Sequence, residues 1–204
     1  MKKARPSASK KLGIARADNV GAALVQSNAH NLAEGPHADR ATEPRADPVR
    51  SRKVALRGLL IEALQTALAS AHAAYRAAIE GATHAEAKAE NSKDTRGLEQ
   101  SYVARGQAQR VAELETGLAT VTTMSVAPHP TGPVRIGSLA VVRDQQDGRT
   151  ATYWMAPAGG GTTLLDRTAT DARELIVLTP QSPLGRALLT RAVGDEITLG
   201  EGPT

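Results

Sequence analysis

The sequence predicts an α+β protein: two long helices first, then a small β-rich domain. Three observations carry that expectation. No proline occurs between Lys53 and Pro128, and apolar residues recur there at helical spacing. Pro128, Pro130 and Pro133 then break the chain within a few residues. Beyond them come short β-branched runs separated by turn residues.

In chain order, residues 1–52 mix Lys, Arg, Ser, Asn, Asp and Pro with one short apolar stretch, Val20 to Val25. They show no sustained period and are expected to be disordered. Their first seventeen residues lack acids, as organelle transit peptides do, but draw no clear amphipathic helix. From Lys53, the residues Leu56, Leu60, Leu64, Leu68, Ala71, Tyr75 and Ile79 draw one stripe along a helix. Val111, Leu114, Leu118 and Val121 repeat at three, four and three, the seam spacing of a coiled coil. Between the stripes, Gly81–Gly97 is polar. Residues 53–124 therefore read as an antiparallel α-helical coiled-coil hairpin with its tip near 83–97. A helical bundle is the alternative, but it needs further long helices, and the sequence offers none.

Residues 125–133 form a Pro-rich linker. The strand-like runs Ile136–Val142, Thr150–Met155, Glu174–Leu178 and Glu196–Leu199 follow, with Gly159-Gly160-Gly161 as a loop. The helix in this domain, 134–204, is short. Ser182 fits its N-cap and Pro183 its first position, where the missing N–H is not needed. Leu184, Ala187, Leu188 and Leu189 give it an apolar face.

The net charge of +4 hides an uneven distribution. Residues 1–53 hold 11 Lys/Arg and 5 Asp/Glu, leaving 14 basic and 16 acidic residues in 54–204. The basic tail is either a solvated extension or a loose contact for nucleic acid. The chain has no cysteine, which excludes a disulfide framework, a thiolate nucleophile and a Cys-type zinc site. His30, His37, His72, His84 and His129 show no metal-ligand spacing. Gly159-Gly160-Gly161 lacks the Lys-Ser/Thr of a phosphate-binding loop. No run of about 18 apolar residues stands out as a membrane span. A soluble, cytoplasmic, monomeric protein is expected.

Residues 179–197, Thr-Pro-Gln-Ser-Pro-Leu-Gly-Arg-Ala-Leu-Leu-Thr-Arg-Ala-Val-Gly-Asp-Glu-Ile, resemble the signature of the bacterial GreA/GreB transcription factors. Residues 134–144, Val-Arg-Ile-Gly-Ser-Leu-Ala-Val-Val-Arg-Asp, are similar to that family's first C-terminal strand. The order of hairpin, linker and β-rich domain agrees over about residues 53–199. The resemblance implies that 134–204 is FKBP-like and docks on the rim of RNA polymerase, with Gln181, Ser182, Pro183 and Leu184 as the docking residues. It implies that 53–124 enters the secondary channel. Factors of this family are not enzymes themselves. They stimulate the polymerase's own cleavage of the transcript in backtracked complexes. Tip carboxylates share the polymerase's Mg²⁺, and the factor has no cofactor of its own. The chemistry suits a hard cation, which takes oxygen ligands.

Aligned without gaps on the second-helix seam, Glu90 falls at the family's first acidic tip position and Lys93 at its second. Asp94 lies one residue beyond. Glu90 and Asp94, four apart, share a face of a helical turn and are the candidate Mg²⁺ and water-positioning groups, with Glu86 as a third oxygen donor. The same residues, with Lys88, Lys93 and Arg96, also read as a solvated set of charge pairs. The alternatives are therefore a Gre-like regulator that occupies the channel without cleavage, or a coiled-coil adaptor outside transcription. The chain ends soon after the Glu196 strand, where such domains continue into a further strand, so the last strand is expected to be reduced. A prolyl-isomerase pocket is not expected, since this domain offers only Tyr153 and Trp154 as aromatics.

Overall fold

A computed structural model describes residues 10–16, 47–83, 96–129, 132–168 and 172–199. The described elements are β1 (Lys10–Arg16), α1 (Pro48–Thr83), α2 (Arg96–Thr123), β2 (Leu139–Asp144), β3 (Thr150–Met155), β4 (Thr163–Asp166), β5 (Arg173–Leu178), α3 (Pro183–Leu188) and β6 (Glu196–Leu199). The fold is α+β. The chain divides into two units: Arg57–Met124 with Pro157–Gly159 forms one, and the rest of the chain, including Met1–Leu56, forms the other.

The β unit is a six-stranded sheet ordered β4-β5-β3-β2-β1-β6. Among the described strand pairs, only β3–β5 is parallel. The N-terminal strand β1 sits inside this sheet. It pairs with β2 from Leu12↔Asp144 to Arg16↔Ala140, and with β6 from Lys10↔Leu199 to Gly13↔Glu196. The expectation of disorder across 1–52 therefore fails for Lys10–Arg16. Strand β6 pairs with β1, from the other end of the chain, and lies at the edge of the described sheet. A strand with only Leu12 and Ile14 as large apolar residues carries too little periodicity to be read alone. Both side chains are buried, and they join Val142, Met155, Leu178, Leu188 and Ile197 in one core cluster. That cluster is shared with Leu184 and Ala187 of α3, so the short helix covers this face.

The opposite face holds Leu139, Trp154 and Val177, which are register partners across β2, β3 and β5. Trp154 is fully buried, and its indole N–H has no hydrogen-bond partner. Strand β4 escaped the sequence reading because Thr-Leu-Leu-Asp is only four residues long. Strand β2 starts at Leu139 where the apolar pattern suggested Ile136; Ile136 and Gly137 are instead a turn.

Helix α1 begins at Pro48, five residues before the expected start. Asp47 is the cause: its Oδ1 accepts N–H bonds from Val49 at 2.9 Å and Arg50 at 3.4 Å, with Pro48 at the first helical position. The first turns of α1 belong to the β unit. Arg52 Nε meets Asp166 Oδ2 at 2.6 Å, and Asp166 is buried at the end of β4. Burial acts to raise the Asp166 pKa, but the Thr168 hydroxyl and amide, at 2.6 and 3.0 Å, outweigh it together with Arg52. The carboxyl is therefore held below the usual aspartate range. On the sheet surface, the hydrogen bond and charge of Asp144 raise the Lys10 pKa, and Lys10 lowers that of Asp144, across a 2.7 Å ion pair between β1 and β2.

In the helical unit, Leu60, Leu64, Ala71, Val111, Leu114 and Val121 are buried along the predicted stripes. Arg57 near the start of α1 donates to the carbonyl of Met124 just past α2, and His72 lies 3.8 Å from Glu115. These contacts run in opposite order along the two helices, so the pair is antiparallel. Tyr75 and Leu68 are half-buried and Ile79 is exposed, so the stripe weakens toward the far end. Pro157–Gly159 packs in this unit: a Cβ at Gly159 would meet the Leu60 side chain, and one at Gly117 would meet Ala158. The glycine loop is thus fixed by close packing as well as serving as a connection. By length and mean hydropathy, Pro48–Gly81 is apolar enough to cross a membrane, contrary to the sequence expectation. Alanine accounts for the difference, since it raises the mean without forming an unbroken run of large apolar residues.

Ile14→Ala should cost about 2–5 kcal/mol of stability, measured by urea denaturation of the full chain, because it opens a cavity in the shared core. Asp166→Ala should cost about 1.5–3 kcal/mol, since it removes the buried carboxylate that accepts from Arg52 and Thr168. Because the folded-state pKa of Asp166 lies below its unfolded value, its contribution is complete above about pH 4 and is lost as pH falls through the folded pKa. The difference between wild type and Asp166→Asn in thermal melts should narrow below that range.

Candidate functional site

The residues expected to dock a partner, Gln181–Leu184, lie in the connection between β5 and α3. Ser182 is extended (φ −68°, ψ 151°), and its Oγ accepts the Gly185 N–H at 3.0 Å. The same hydroxyl donates to the Thr179 carbonyl at 2.9 Å, so one side chain closes both ends of the turn. Pro183 occupies the first helical position. Gly185 is buried, and a Cβ there would collide with the Thr179 carbonyl and press on Ser182 Oγ. Leu188 ends the helix inside the core cluster.

These contacts separate the signature into two classes. Ser182, Gly185 and Leu188 are needed to make the corner. Gln181, Pro183 and Arg186 are exposed, while Leu184 is half-buried against the core. The outward group combines an amide, an apolar pyrrolidine ring and a guanidinium within six residues, a small exposed surface of mixed polarity. After the helix, Thr190 takes a positive φ of 66°, and its N–H reaches the Val134 carbonyl at 3.0 Å. Val134 N–H in turn donates to Arg191 O at 2.7 Å. The start of residues 134–144 and the end of the signature are thus hydrogen-bonded to each other. Asp195 of Val-Gly-Asp-Glu accepts the Ala192 N–H through Oδ2 at 2.8 Å, and its carbonyl accepts from Ile14 at 3.1 Å. That last bond ties the signature to β1, a partner the sequence reading did not anticipate.

The tip candidates Glu86, Glu90 and Asp94, together with Lys88 and Lys93, lie outside the described residues. Among the described residues, no group of three His, Asp or Glu is placed to hold a metal ion. The signal missed in the sequence was the pair Lys53 and His129. Lys53 is 2% exposed, and its ammonium donates to the Ala127 carbonyl at 3.4 Å. Burial, then the charges of Lys53 and Arg135, push the His129 imidazole below its ordinary range. A lysine at the start of a helix and a histidine in a linker give no periodic or motif signal.

No family model matches the chain, and no curated protein matches it. Among solved structures the chain is similar to GreA factor homolog 1 (Gfh1) of Thermus thermophilus. The two share 17% identity over 68% of this chain and 84% of that one, with a TM-score of 0.26. A likeness at that level carries no argument about function.

Gly185→Ala should destabilise the β unit by about 3 kcal/mol and Ser182→Ala by about 1 kcal/mol in chemical denaturation. Gln181→Ala should stay within about 0.5 kcal/mol of wild type. Equal losses for all three would show that the corner is not built as described.

Proposed function

We propose that the protein is a Gre-type factor that binds bacterial RNA polymerase, with the β5–α3 corner as the docking surface and the helix pair reaching the secondary channel. The observation that carries this reading is the resemblance of residues 179–197 to the GreA/GreB signature. It is supported by the way those residues fold: the inward ones build a capped turn, and Gln181 and Pro183 are left outside. In this reading the β unit is FKBP-like and the antiparallel pair is the coiled-coil hairpin. The protein works as a cytoplasmic monomer without a cofactor of its own.

The activity in this reading is tip-assisted transcript cleavage. Glu90 and Asp94, with Glu86, supply carboxylate oxygens to the polymerase's Mg²⁺ and orient the attacking water. The protein is then an accessory factor, and the bond-breaking site belongs to the polymerase. In the N-terminal segment, Lys10 is engaged by Asp144 within the sheet.

A second reading keeps the partner and omits the cleavage. Lys93 at the second acidic register position favours it, because a cation there weakens the negative field that recruits Mg²⁺. Such a protein would occupy the channel and change initiation or pausing.

Purified protein added to stalled elongation complexes should raise RNA cleavage, and Glu90→Ala combined with Asp94→Ala should reduce that gain about 100-fold. Inhibition of an authentic cleavage factor by the wild-type chain, without cleavage of its own, would select the second reading. Failure to recover polymerase subunits from a bacterial lysate would overturn both and leave the adaptor reading.

A further inference from the structure

Within the β unit, a pocket of about 50 Å³ opens where β1, the first turns of α1, residues 129–138 and β2 meet. At about 10–15 Å³ per enclosed water, it has room for roughly four oxygen-sized groups. Its floor is Lys53 with the apolar side chains Ile14 and Leu139, all buried. Its rim includes Arg191, which is exposed. Among the described residues lining it, none is acidic. His129 contributes a buried Nε2 with no hydrogen-bond partner. Ser138 Oγ accepts the Arg135 N–H at 3.0 Å, and its own hydroxyl hydrogen is able to donate elsewhere.

We propose that this pocket binds a phosphate-sized oxyanion, either free phosphate or the phosphoryl end of a monoester. The fit rests on three features: a volume matching a tetrahedral group of four oxygens, a lining of cationic and hydroxyl donors with no carboxylate among the described residues, and the buried Lys53 at its floor. An anion would accept from Lys53, Ser138 and Arg191, and charge-assisted bonds of this kind are the strong ones. The exposed rim leaves a way out for an ester substituent. Burial, then the charges of Lys53 and Arg135, lower the His129 pKa, and a bound anion would act to raise it. Occupancy would join β1, α1 and the segment after α2 through one ligand. This inference is independent of polymerase binding.

Calorimetric titration of the full-length protein with inorganic phosphate, at chloride-matched ionic strength, tests it. Saturable binding is expected, weakened about tenfold or more by Lys53→Met and by Arg191→Ala. Arg191 is exposed, so its variant reads the site even if Lys53→Met does not fold. In NMR titrations phosphate should raise the His129 pKa. A parallel titration with a nucleoside 5′-monophosphate identifies the source: tighter binding than phosphate selects a monoester, and weaker binding selects the free anion. Absence of saturable phosphate binding, or equal affinity in wild type and Arg191→Ala, overturns the proposal.

Discussion

The β unit depends on one act of pairing, the insertion of Lys10–Arg16 between β2 and β6. Without it, β2 and β6 would both present unpaired backbone groups, and the core on that face would lose Leu12 and Ile14 together. Each of those side chains contributes roughly 1.5–3 kcal/mol by burial. The pairing also ties β1 to the turn before β6: Ile14 N–H donates to Asp195 O, and Gly194 N–H donates back to Ile14 O. A strand from the start of the sequence thereby holds the end of the signature in place.

Around that pairing, the polar groups inside the unit are placed to fix geometry. Asp166 is satisfied by Arg52 and Thr168 and so holds the first turns of α1 against β4. Such a pair adds little net stability compared with apolar packing, but breaking it is costly, so it specifies one arrangement. Lys53 follows Arg52 on the same helix and is buried at the pocket floor. The helix start chosen by Asp47 and Pro48 sets where both cations fall.

Within residues 179–197, the side chains that build the fold can be told from those left at the surface. Ser182 and Gly185 occur together because one hydroxyl must cap a turn that leaves no room for a Cβ. Gln181 and Pro183 have no such duty within the chain, and their exposure leaves them free for a partner. A motif read as recognition is thus half scaffold, and only its outward half carries the docking proposal.

The sequence by itself determined the elements whose signal is local. The helical stripes of Leu60, Leu64, Val111 and Val121, the strands Thr150–Met155 and Glu196–Leu199, and the Ser182–Pro183 cap were all legible, because period and capping chemistry act within a few residues. The earlier start of α1 was written in Asp47-Pro48 but was masked by the polar texture before Lys53. Only the tertiary structure decided the rest. Leu12 and Ile14 make a strand because two open edges await them, and β4 is a strand because β5 pairs with it. The pocket gathers Lys53, His129, Ser138 and Arg191 from positions spread over about 140 residues. Pairing and convergence of that kind depend on contacts distant in sequence, and no local pattern records them.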